Sequence, residues 1–418
     1  MRTRSTRILH QMQRVLILII MTVCFFLVGC NSCSTNPKTG SISGKVILIN
    51  DTGNPQQDPV DFSGVTVAVY ELAQLDTSLV RLNHKYPQSG IPINQETEFD
   101  HREFDPITTV TTDAEGIFII ENLNAGEYNV VTTKEGWSVK YVYSVLVNEG
   151  SEVSLPNIQM YGAIYISQFV ADPIIFKTDR MYVFSEDTNV YGDVQIEAGS
   201  HMVVTPGKTA RFYGNISCPD AGWWRVDTYY SIYSTQMINI EHANYYYALI
   251  FYNASCTVKN MLACHAENAI IVNSEIVALN HCYFKNNGLS VEVSQANTTI
   301  SNTVFKSGYG IAVRARPFGN PVSINHSIFA YNSTGIDLIS QSSIIENCYF
   351  LNNDRAVVSQ ESHGSIQHCE FDRNNFDISI ATSCYNVVYN DFYYSTYKSV
   401  VPGSFSQTEQ TIVNNNNF

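Results

Sequence analysis

A repeat of apolar and polar positions dominates the second half of the chain. Segments such as "IIENCYFLNN" and "SIQHCEFDRN" each place an aromatic residue in the same position, at intervals of 21 or 24 residues. A period of this length, in residues that favour β-strands, predicts a solenoid in which each repeat forms one coil. The aromatic positions are Phe284, Phe305, Phe329, Phe350, Phe371 and Phe392.

Two further apolar rows predict the strands of each coil. Side chains alternate across a strand, so residues two positions apart share a face. One row lies five positions before the aromatic residue: Leu279, Ile300, Ile324, Ile345, Ile366 and Val387. The other lies after it: Val291, Ile311, Ile336, Val357 and Ile378. We therefore predict three short strands per coil, joined by turns.

Polar rows predict the turns. His281, Asn302, His326, Asn347 and His368 recur three positions before the aromatic residue. His and Asn are enriched in left-handed backbone, which suits a corner. We interpret these histidines as corners and predict no metal site, since no second ligand type recurs beside them. Asparagines recur three positions after the aromatic residue, where they can hydrogen-bond along the solenoid axis; they are Asn287, Asn332, Asn353 and Asn374.

Cys348 and Cys369 occupy equivalent positions on neighbouring coils. Neighbouring strands lie about 4.8 Å apart, close enough for a disulfide in an exported protein. In-register parallel side chains point the same way, however, so we favour stacked free thiols and keep a bridge as the alternative.

Residues 41–160 alternate like the strands of a small β-sandwich, with turn signals at Asp113–Gly116 and Asn124–Gly126. An insertion near Leu72–Asp105 interrupts the pattern. His84 and His101 lie in this insertion without metal-ligand spacing, so we expect solvated loop histidines.

The first residues are typical of an export signal. A basic start is followed by the apolar run Val15–Phe26 and by Leu27-Val28-Gly29-Cys30. This ending resembles the lipobox of bacterial lipoproteins, which implies a lipid on Cys30. The alternative is an uncleaved membrane anchor, for which the apolar run is short. We predict a signal peptide over 1–29, a polar tether over 30–40, the sandwich over 41–160 and the solenoid over 161–418.

Composition narrows the function classes. The chain is 44% hydrophobic and 15% charged, as expected of a folded protein. Its net charge is −14, and no cluster of Lys and Arg follows the N-terminus, which argues against nucleic acid as a partner. No cofactor motif is present. The predicted location is the cell envelope, outside the cytoplasm, with the membrane as a partner through Cys30.

Two family resemblances support an all-β fold. "TTDAEGIF" and "LNAGEYNV" resemble the carboxypeptidase-regulatory-like, transthyretin-like domains of exported bacterial proteins. The repeat resembles the right-handed parallel β-helix family that includes pectate lyases. The expected fold is an N-terminal β-sandwich followed by a right-handed parallel β-helix with about 21–24 residues per coil.

Candidate catalytic residues surround the longest coil, which we expect to carry three extra residues in a loop at Arg314–Ser323. Arg314, Arg316 and Phe318 are the loop candidates. Glu292 and Asp337 point outward two coils apart, roughly 9–10 Å by strand spacing. Paired carboxylates at such a separation suit inverting glycoside hydrolysis; the simpler interpretation is a solvated face.

A second candidate surface is aromatic. Trp223, Trp224, Tyr245 and Tyr246 lie in segments that break the regular coil. Exposed Trp and Tyr bind sugar rings, whereas buried ones would plug the first coils.

Three functions remain open. The first is a non-catalytic, lipid-anchored protein that binds a glycan or a surface partner. The second is a polysaccharide lyase or glycoside hydrolase, and the third a structural envelope protein. The resemblance would lead us to expect clustered acids on adjacent coils in an enzyme, and the sequence shows none. Asp354-Arg355 and Asp372-Arg373 are interpreted as surface ion pairs at corners.

Overall fold

The computed structural model describes residues 38–50, 59, 61–205, 207–218, 220, 222–227, 249–252, 255–266, 268–272, 276–294, 297–306, 308–316, 321–381, 383–402 and 412–417. The fold is all-β, with an N-terminal sheet region followed by a parallel β-solenoid, which confirms the predicted class. Within these residues, no helix has the length and apolar character needed to span a membrane. Cys30 lies outside the described residues.

The N-terminal region contains two four-stranded sheets. Its strands are β1 (Gly40–Ile49), β2 (Thr66–Glu71), β3 (Thr108–Thr111), β4 (Ile117–Leu123), β5 (Gly126–Thr133), β6 (Lys140–Val147), β7 (Glu152–Ser154) and β8 (Ile158–Tyr161). One sheet has the order β4-β1-β7, with β8 also on β1, and the other has the order β3-β2-β5-β6. Alternate residues such as Phe118 and Ile120 in β4 are buried, as the sequence pattern predicts.

The solenoid has three parallel faces, which we name the covered, open and third sheets. The covered sheet comprises Ile164–Tyr165, Met181–Phe184, His201–Val204, Trp224–Asp227, Met261–Cys264, Tyr283–Lys285, Val304–Lys306, Ile328–Ala330, Tyr349–Leu351, Glu370–Asp372 and Asp391–Tyr393. The open sheet comprises Phe169–Val170, Thr188–Val190, Ala210–Phe212, Leu249–Phe251, Asn268–Val272, Leu289–Val293, Ile311–Ala315, Thr334–Ile339, Arg355–Gln360, Phe376–Ala381 and Tyr397–Pro402.

The third sheet is in two parts. The first part has the strands Ile174–Phe176, Val194–Ile196 and Ile216–Ser217. The second part has the strands Ser255–Lys259, Ile276–Asn280, Asn297–Ser301, Val322–Asn325, Ser342–Glu346, His363–Gln367, Cys384–Val388 and Ile412–Asn414.

The six repeated phenylalanines stack along the solenoid axis, which confirms the sequence register. Neighbouring ring centroids lie 4.8 to 5.0 Å apart, and every ring is buried. Such pairs stabilise a core by about 0.5–1.5 kcal/mol beyond their buried area. One assignment in the second apolar row is wrong: Val313, not Ile311, pairs with Val291 and Ile336.

The predicted corners are confirmed. His281, Asn302, His326, Asn347 and His368 all have φ between 47° and 53°, in the left-handed region that Asn and His tolerate best. The asparagine row is buried and hydrogen-bonded along the axis. Asn332 Nδ2 donates to Asn353 Oδ1 at 3.0 Å, and Asn353 Nδ2 donates to Asn374 Oδ1 at 3.0 Å.

The insertion between β2 and β3 forms a clamp on the covered sheet. It contains helix α1 (Thr77–Lys85), the short helix α2 (Gln95–Glu98) and a 3-10 turn (His101–Glu103). Leu79, Ile91 and Ile93 pack in one cluster with solenoid residues that include Ile328. Gly90, at φ +69°, donates its N–H to the carbonyl of His326 at 2.8 Å. A Cβ at Gly90 would lie 2.7 Å from Ile328 Cδ1, so a larger residue would push the clamp away.

Buried charges also hold the clamp. Glu98 accepts hydrogen bonds from the Tyr283 hydroxyl at 2.6 Å and from Lys306 Nζ at 2.5 Å. Lys285 Nζ donates to Glu103 Oε2 at 2.8 Å and to the Glu98 carbonyl at 2.9 Å. Because these charges are paired and hydrogen-bonded, their burial is tolerated, whereas removing one partner would leave an uncompensated charge.

A buried histidine completes this interface. His265 Nε2 lies 3.3 Å from Asp100 Oδ2 and 3.1 Å from Glu103 Oε1. Burial alone would lower the pKa of His265, but hydrogen bonds with the two carboxylates raise it. Burial likewise opposes the ionised form of Asp100, yet the Arg102 guanidinium and His265 hold the pKa of that carboxyl well below its usual range.

The expectation for the insertion histidines is half wrong. His84 is exposed, although it lies in α1 rather than in a loop. His101 is largely buried, and its Nδ1 lies 2.9 Å from the Tyr141 hydroxyl. Its surroundings differ from the expectation because the insertion packs against β6 and the solenoid instead of extending into solvent.

Cys348 and Cys369 are buried free thiols, as favoured from the sequence. The Cys348 thiol donates to the carbonyl of Glu346 at 3.3 Å, and the Cys369 thiol donates to that of Gln367 at 3.3 Å. Each sulfur also lies near a carbonyl of the preceding coil, at 3.5 Å from that of Ile324 for Cys348 and 3.7 Å from that of Ile345 for Cys369.

Candidate functional site

Three predicted site residues lie side by side on the outer face of the open sheet. Arg314 pairs with Glu292 on one neighbouring strand and with Asp337 on the other. Their chain neighbours Val291, Val313 and Ile336 point into the core, so the charged side chains point away from it. The sequence placed Glu292 and Asp337 correctly on one face but did not show that Arg314 lies between them.

Each carboxylate is engaged by a guanidinium. Arg314 Nε lies 3.2 Å from Asp337 Oδ2, and Arg316 Nε lies 3.0 Å from Glu292 Oε1. The Glu292 side chain is only 6% exposed, whereas that of Arg316 is 41% exposed. The expectation of two acids on a solvated face is therefore wrong for Glu292, because Arg316 helps to cover it. Together, Glu292, Arg314, Arg316 and Asp337 therefore present more guanidinium N–H donors than unpaired carboxylate oxygens to solvent.

The longest coil distributes its extra residues differently from the expectation. Eight positions separate Phe305 from Val313, against seven between Phe284 and Val291. One extra residue therefore lies in the turn before the open sheet, and the other two follow the strand Ile311–Ala315. Arg314 is accordingly a strand residue rather than a loop residue.

Arg316 follows the strand, and Phe318 lies outside the described residues. Arg316 remains in the strand's hydrogen-bonding register, since its N–H donates to the carbonyl of Val293 at 3.0 Å. Its carbonyl accepts a hydrogen bond from the side chain of Gln341. The position of Arg316 is thus fixed by neighbouring coils on both sides.

A row of stacked tyrosines lies on the same outer face. Tyr191 and Tyr213 have ring centroids 4.6 Å apart, and Tyr213 and Tyr252 have centroids 4.9 Å apart, with interplanar angles of 10° and 6°. Tyr191 is 48% exposed and Tyr213 is 37% exposed. Phe169 extends the group at 5.2 Å from Tyr191 in a tilted arrangement.

Tyrosines and Arg316 belong to one row of the solenoid. Tyr191, Tyr213 and Tyr252 each follow the last residue of an open-sheet strand, as Arg316 does. The strand-ending residues pair in succession through Val190, Phe212, Phe251, Val272, Val293 and Ala315. At about 4.8 Å per coil, Tyr191 and Arg316 lie five coils or about 24 Å apart.

Stacking determines what the tyrosine row can contact. Each ring face is turned toward its neighbour, so the surface displays ring edges and phenolic hydroxyls. Burial raises the pKa of Tyr213, and the adjacent Tyr252 and Tyr191 raise it further, which keeps this phenol protonated. A protonated phenol both donates and accepts hydrogen bonds. The row is suited to polar contacts along a line rather than to stacking of a sugar on an aromatic face.

Sequence reasoning did not identify this row because its spacing is irregular. The interval is 22 residues from Tyr191 to Tyr213 but 39 residues from Tyr213 to Tyr252. A usable signal was present: Val190-Tyr191, Phe212-Tyr213 and Phe251-Tyr252 each join a core residue to a tyrosine at the end of a strand.

The aromatic candidates from the sequence have other positions. Trp224 is 1% exposed, and its indole N–H donates to the Lys259 carbonyl at 2.8 Å, so its ring is not available to a sugar. Trp223 packs against the cluster beneath the clamp. Tyr245 and Tyr246 lie outside the described residues. Within the described ranges, no group of three or more His, Cys, Asp or Glu side chains is arranged as metal ligands.

Comparisons with known proteins support the solenoid fold. Residues 235–393 match the family model described as a right handed beta helix region. This match agrees with the parallel coils of the structure and with the right-handed coiling that the sequence predicts for that region. No curated protein matches the chain.

Two solved structures show limited likeness. One is a type II cohesin–X-dockerin complex from Acetivibrio cellulolyticus, at 18% identity and a TM-score of 0.17, covering 30% of this chain and 58% of that chain. The other is GBS52, the minor pilin of Streptococcus agalactiae, at 15% identity and a TM-score of 0.18, covering 31% and 48%. The chain thus spans about half the length of each structure. Scores this low carry no argument about function.

Proposed function

We propose that this chain is a lipid-anchored, extracytoplasmic β-helix protein that binds an extended glycan along its open sheet without cleaving it. The observation that carries the proposal is the line formed on the outer face of the open sheet by Tyr191, Tyr213 and Tyr252 and, three coils further along, by Arg316. Three phenolic hydroxyls and one guanidinium lie along one line, so they can bind a polymer with many hydroxyl or carboxylate oxygens at several points. Contacts that are individually weak then add along the polymer.

The clamp supports this choice of face. Insertion residues occupy the outer surface of the covered sheet, whereas Tyr191 and Tyr213 of the open sheet are solvent-exposed. The proposed lipid on Cys30 would attach the chain to a bacterial membrane, with the polar tether 30–40 as the connection. The N-terminal domain, which we take to be carboxypeptidase-regulatory-like, would then hold the solenoid at the surface.

The lack of catalysis is proposed from the ion pairs. Glu292 and Asp337 each have a guanidinium neighbour, so neither carboxylate is free to engage a substrate without first breaking that pair. A general acid or base must lie within hydrogen-bond reach of the proton that it transfers. Partially buried pairs would have to reorganise before this could occur.

Size-exclusion chromatography tests the proposal. The chain from Cys30 onward, with Cys30→Ser to prevent lipidation, is mixed with neutral and acidic polysaccharides in the presence of calcium. We expect it to co-elute with at least one intact polymer. A polymer that becomes smaller would refute the non-catalytic assignment. Unchanged elution across a broad panel would refute glycan binding and favour a protein partner or a structural role.

Matched variants test the surface. Tyr213→Ala and Arg316→Ala should each weaken polymer binding about tenfold, since a lost hydrogen bond to a charged or buried partner is worth about 1.5 kcal/mol. Tyr165→Ala and Arg355→Ala remove exposed residues of the same types outside this row and should leave binding unchanged. Equal losses in all four variants would contradict the assigned surface.

A further inference from the structure

A cleft lies between the clamp and the covered sheet, away from the open sheet. Its volume is about 220 Å³. One wall is the face of α1 formed by Ser78, Arg81, Leu82 and Lys85, and the other wall is formed by the strands Tyr349–Leu351 and Glu370–Asp372 together with Arg373. A ligand in the cleft would therefore touch both the insertion and the solenoid.

Two carboxylates of one strand face this cleft. Phe371 points into the core, so its neighbours Glu370 and Asp372 point outward. Glu370 Oε2 accepts hydrogen bonds from Lys85 Nζ at 2.9 Å and from the Tyr86 hydroxyl at 2.7 Å. The expectation of a surface ion pair at a corner is thus incomplete for Asp372, which lies in a strand and lines a cleft.

Asp372 is only partly satisfied. Its Oδ2 lies 3.4 Å from Arg373 Nη2, but its Oδ1 is buried and has no hydrogen-bond partner among the described residues. Burial raises the pKa of Asp372, against the opposing effect of Arg373. The Asp372 side chain as a whole is 22% exposed, so the accessible edge of its carboxylate can accept a hydrogen bond from a donor in the cleft.

The lining selects the ligand chemistry. Glu370 and Asp372 accept hydrogen bonds, whereas Arg81, Arg373 and the Ser78 hydroxyl can donate them. A phosphate would face the carboxylates, and a simple ammonium would face the guanidiniums. A hydroxyl group both donates and accepts, so several hydroxyls on one small molecule satisfy both sets.

The small volume of the cleft and its apolar lining narrow the class of ligand further. The cleft volume of about 220 Å³ is smaller than the roughly 300–1,000 Å³ typical of pockets for drug-sized ligands. Leu82 and Leu351 supply apolar contact for the C–H face of a ring.

We propose that this cleft binds one neutral sugar residue, either a free monosaccharide or the end of a glycan chain. Its hydroxyls donate to the accessible edge of the Asp372 carboxylate and accept from the guanidiniums of Arg81 and Arg373, while the ring packs on Leu82. The site is separate from the open sheet and does not depend on polymer binding there. Occupation of the cleft also joins α1 to the solenoid, so the sugar stabilises the docked clamp.

Isothermal titration with glucose, galactose, mannose, xylose and N-acetylglucosamine tests the proposal on the Cys30→Ser chain. We expect one of these to bind at a single site. Asp372→Asn replaces one carboxylate oxygen by an amide nitrogen and removes the negative charge at constant shape, and should weaken binding at least tenfold. Leu82→Trp fills the cleft and should abolish binding. The control Asp354→Asn changes an exposed aspartate outside the cleft and should bind as the unsubstituted chain does.

Further readouts separate the two sugar sources and the two sites. A trisaccharide built from the sugar that binds should also be titrated. If the cleft takes the end of a glycan chain, the trisaccharide binds as tightly as the monosaccharide. If the cleft takes only a free sugar, the monosaccharide binds and the trisaccharide does not. Sugar should slow tryptic cleavage at Arg81 and Lys85. Tyr213→Ala should leave monosaccharide binding intact, so failure of the open-sheet proposal would not affect this result. Absence of binding by every sugar, equal binding by Asp372→Asn, or binding of glycine in place of a sugar would overturn the proposal.

Discussion

Asn353→Ala tests whether the buried asparagine row determines the stability of the solenoid. The Asn353 side chain accepts hydrogen bonds from the backbone N–H and the Nδ2 of Asn332, both at 3.0 Å. It donates to the Phe329 carbonyl at 2.9 Å and to Asn374 Oδ1 at 3.0 Å. Asn353 is 2% exposed, so bulk water does not replace these partners.

The magnitude follows from the groups left behind. Alanine would leave the Asn332 N–H and the Phe329 carbonyl without the side-chain partner that each now has. Each unsatisfied buried group costs about 1–3 kcal/mol, so we expect the free energy of unfolding to fall by about 4 kcal/mol. Asn374 is affected less, because the backbone N–H of residue 353 still donates to its Oδ1.

The assay is equilibrium unfolding in urea, followed by circular dichroism. Asn375→Ala is the matched control, since the Asn375 side chain makes an exposed hydrogen bond to Asp354 Oδ1 at 2.9 Å. That substitution should change the free energy of unfolding by no more than about 0.5 kcal/mol. A loss below about 1 kcal/mol for Asn353→Ala, or losses of equal size in the two variants, would refute the reasoning.

Two further predictions concern titratable groups. The raised pKa of His265 means that its charged ring stabilises the docked clamp below its unfolded pKa of about 6.5, and that this contribution is lost as pH rises through the folded pKa. Unfolding measured against pH should show this alkaline loss in the native chain and not in His265→Gln, in which the remaining cationic partners of Asp100 and Glu103, Arg102 and Lys285, stay charged through this pH range; parallel curves would contradict the assignment. Burial raises the pKa of Cys282 to about 12 and that of Cys369 well above its usual range. Mass spectrometry should therefore find both thiols unmodified by iodoacetamide at pH 8 in the native chain and alkylated in urea, and native alkylation would contradict their burial.

The repeat was predictable because its information is local. A phenylalanine every 21 or 24 residues specifies the core, and the corner histidines and asparagines tolerate the backbone that a coil requires at fixed offsets. The misplacement of Ile311 has a simple cause. An extra residue in the preceding turn moves the position that pairs with Val291 from seven to eight residues after the aromatic residue, so Val313 takes it, and Ile311, two positions earlier on the same face, pairs with Leu289 instead.

The clamp could not be predicted in this way, because its contacts join distant parts of the chain. Glu98 and Tyr283 are 185 residues apart, and neither belongs to a pattern that identifies the other. The cleft at Asp372 depends on this docking, and the burial of His101 depends on the packing of the insertion against Tyr141 of β6. Local sequence shows that the insertion exists, but not which face of the solenoid it covers.

Part of the open-sheet site could be predicted from the sequence. The outward alternation placed Glu292 and Asp337 on one face, but the pairing of each with a guanidinium depends on side-chain geometry. The tyrosine row was hidden by the long interval before Tyr252, which removes the regular period.

Hydrogen–deuterium exchange tests the central proposal most directly. The Cys30→Ser chain is labelled with and without the polysaccharide that co-elutes with it. We predict slower exchange in segments 189–191, 211–213 and 314–316 of the open sheet, with exchange in the strands of the third sheet unchanged. Protection of the third sheet alone, or no protection by any polysaccharide, would contradict glycan binding along the open sheet.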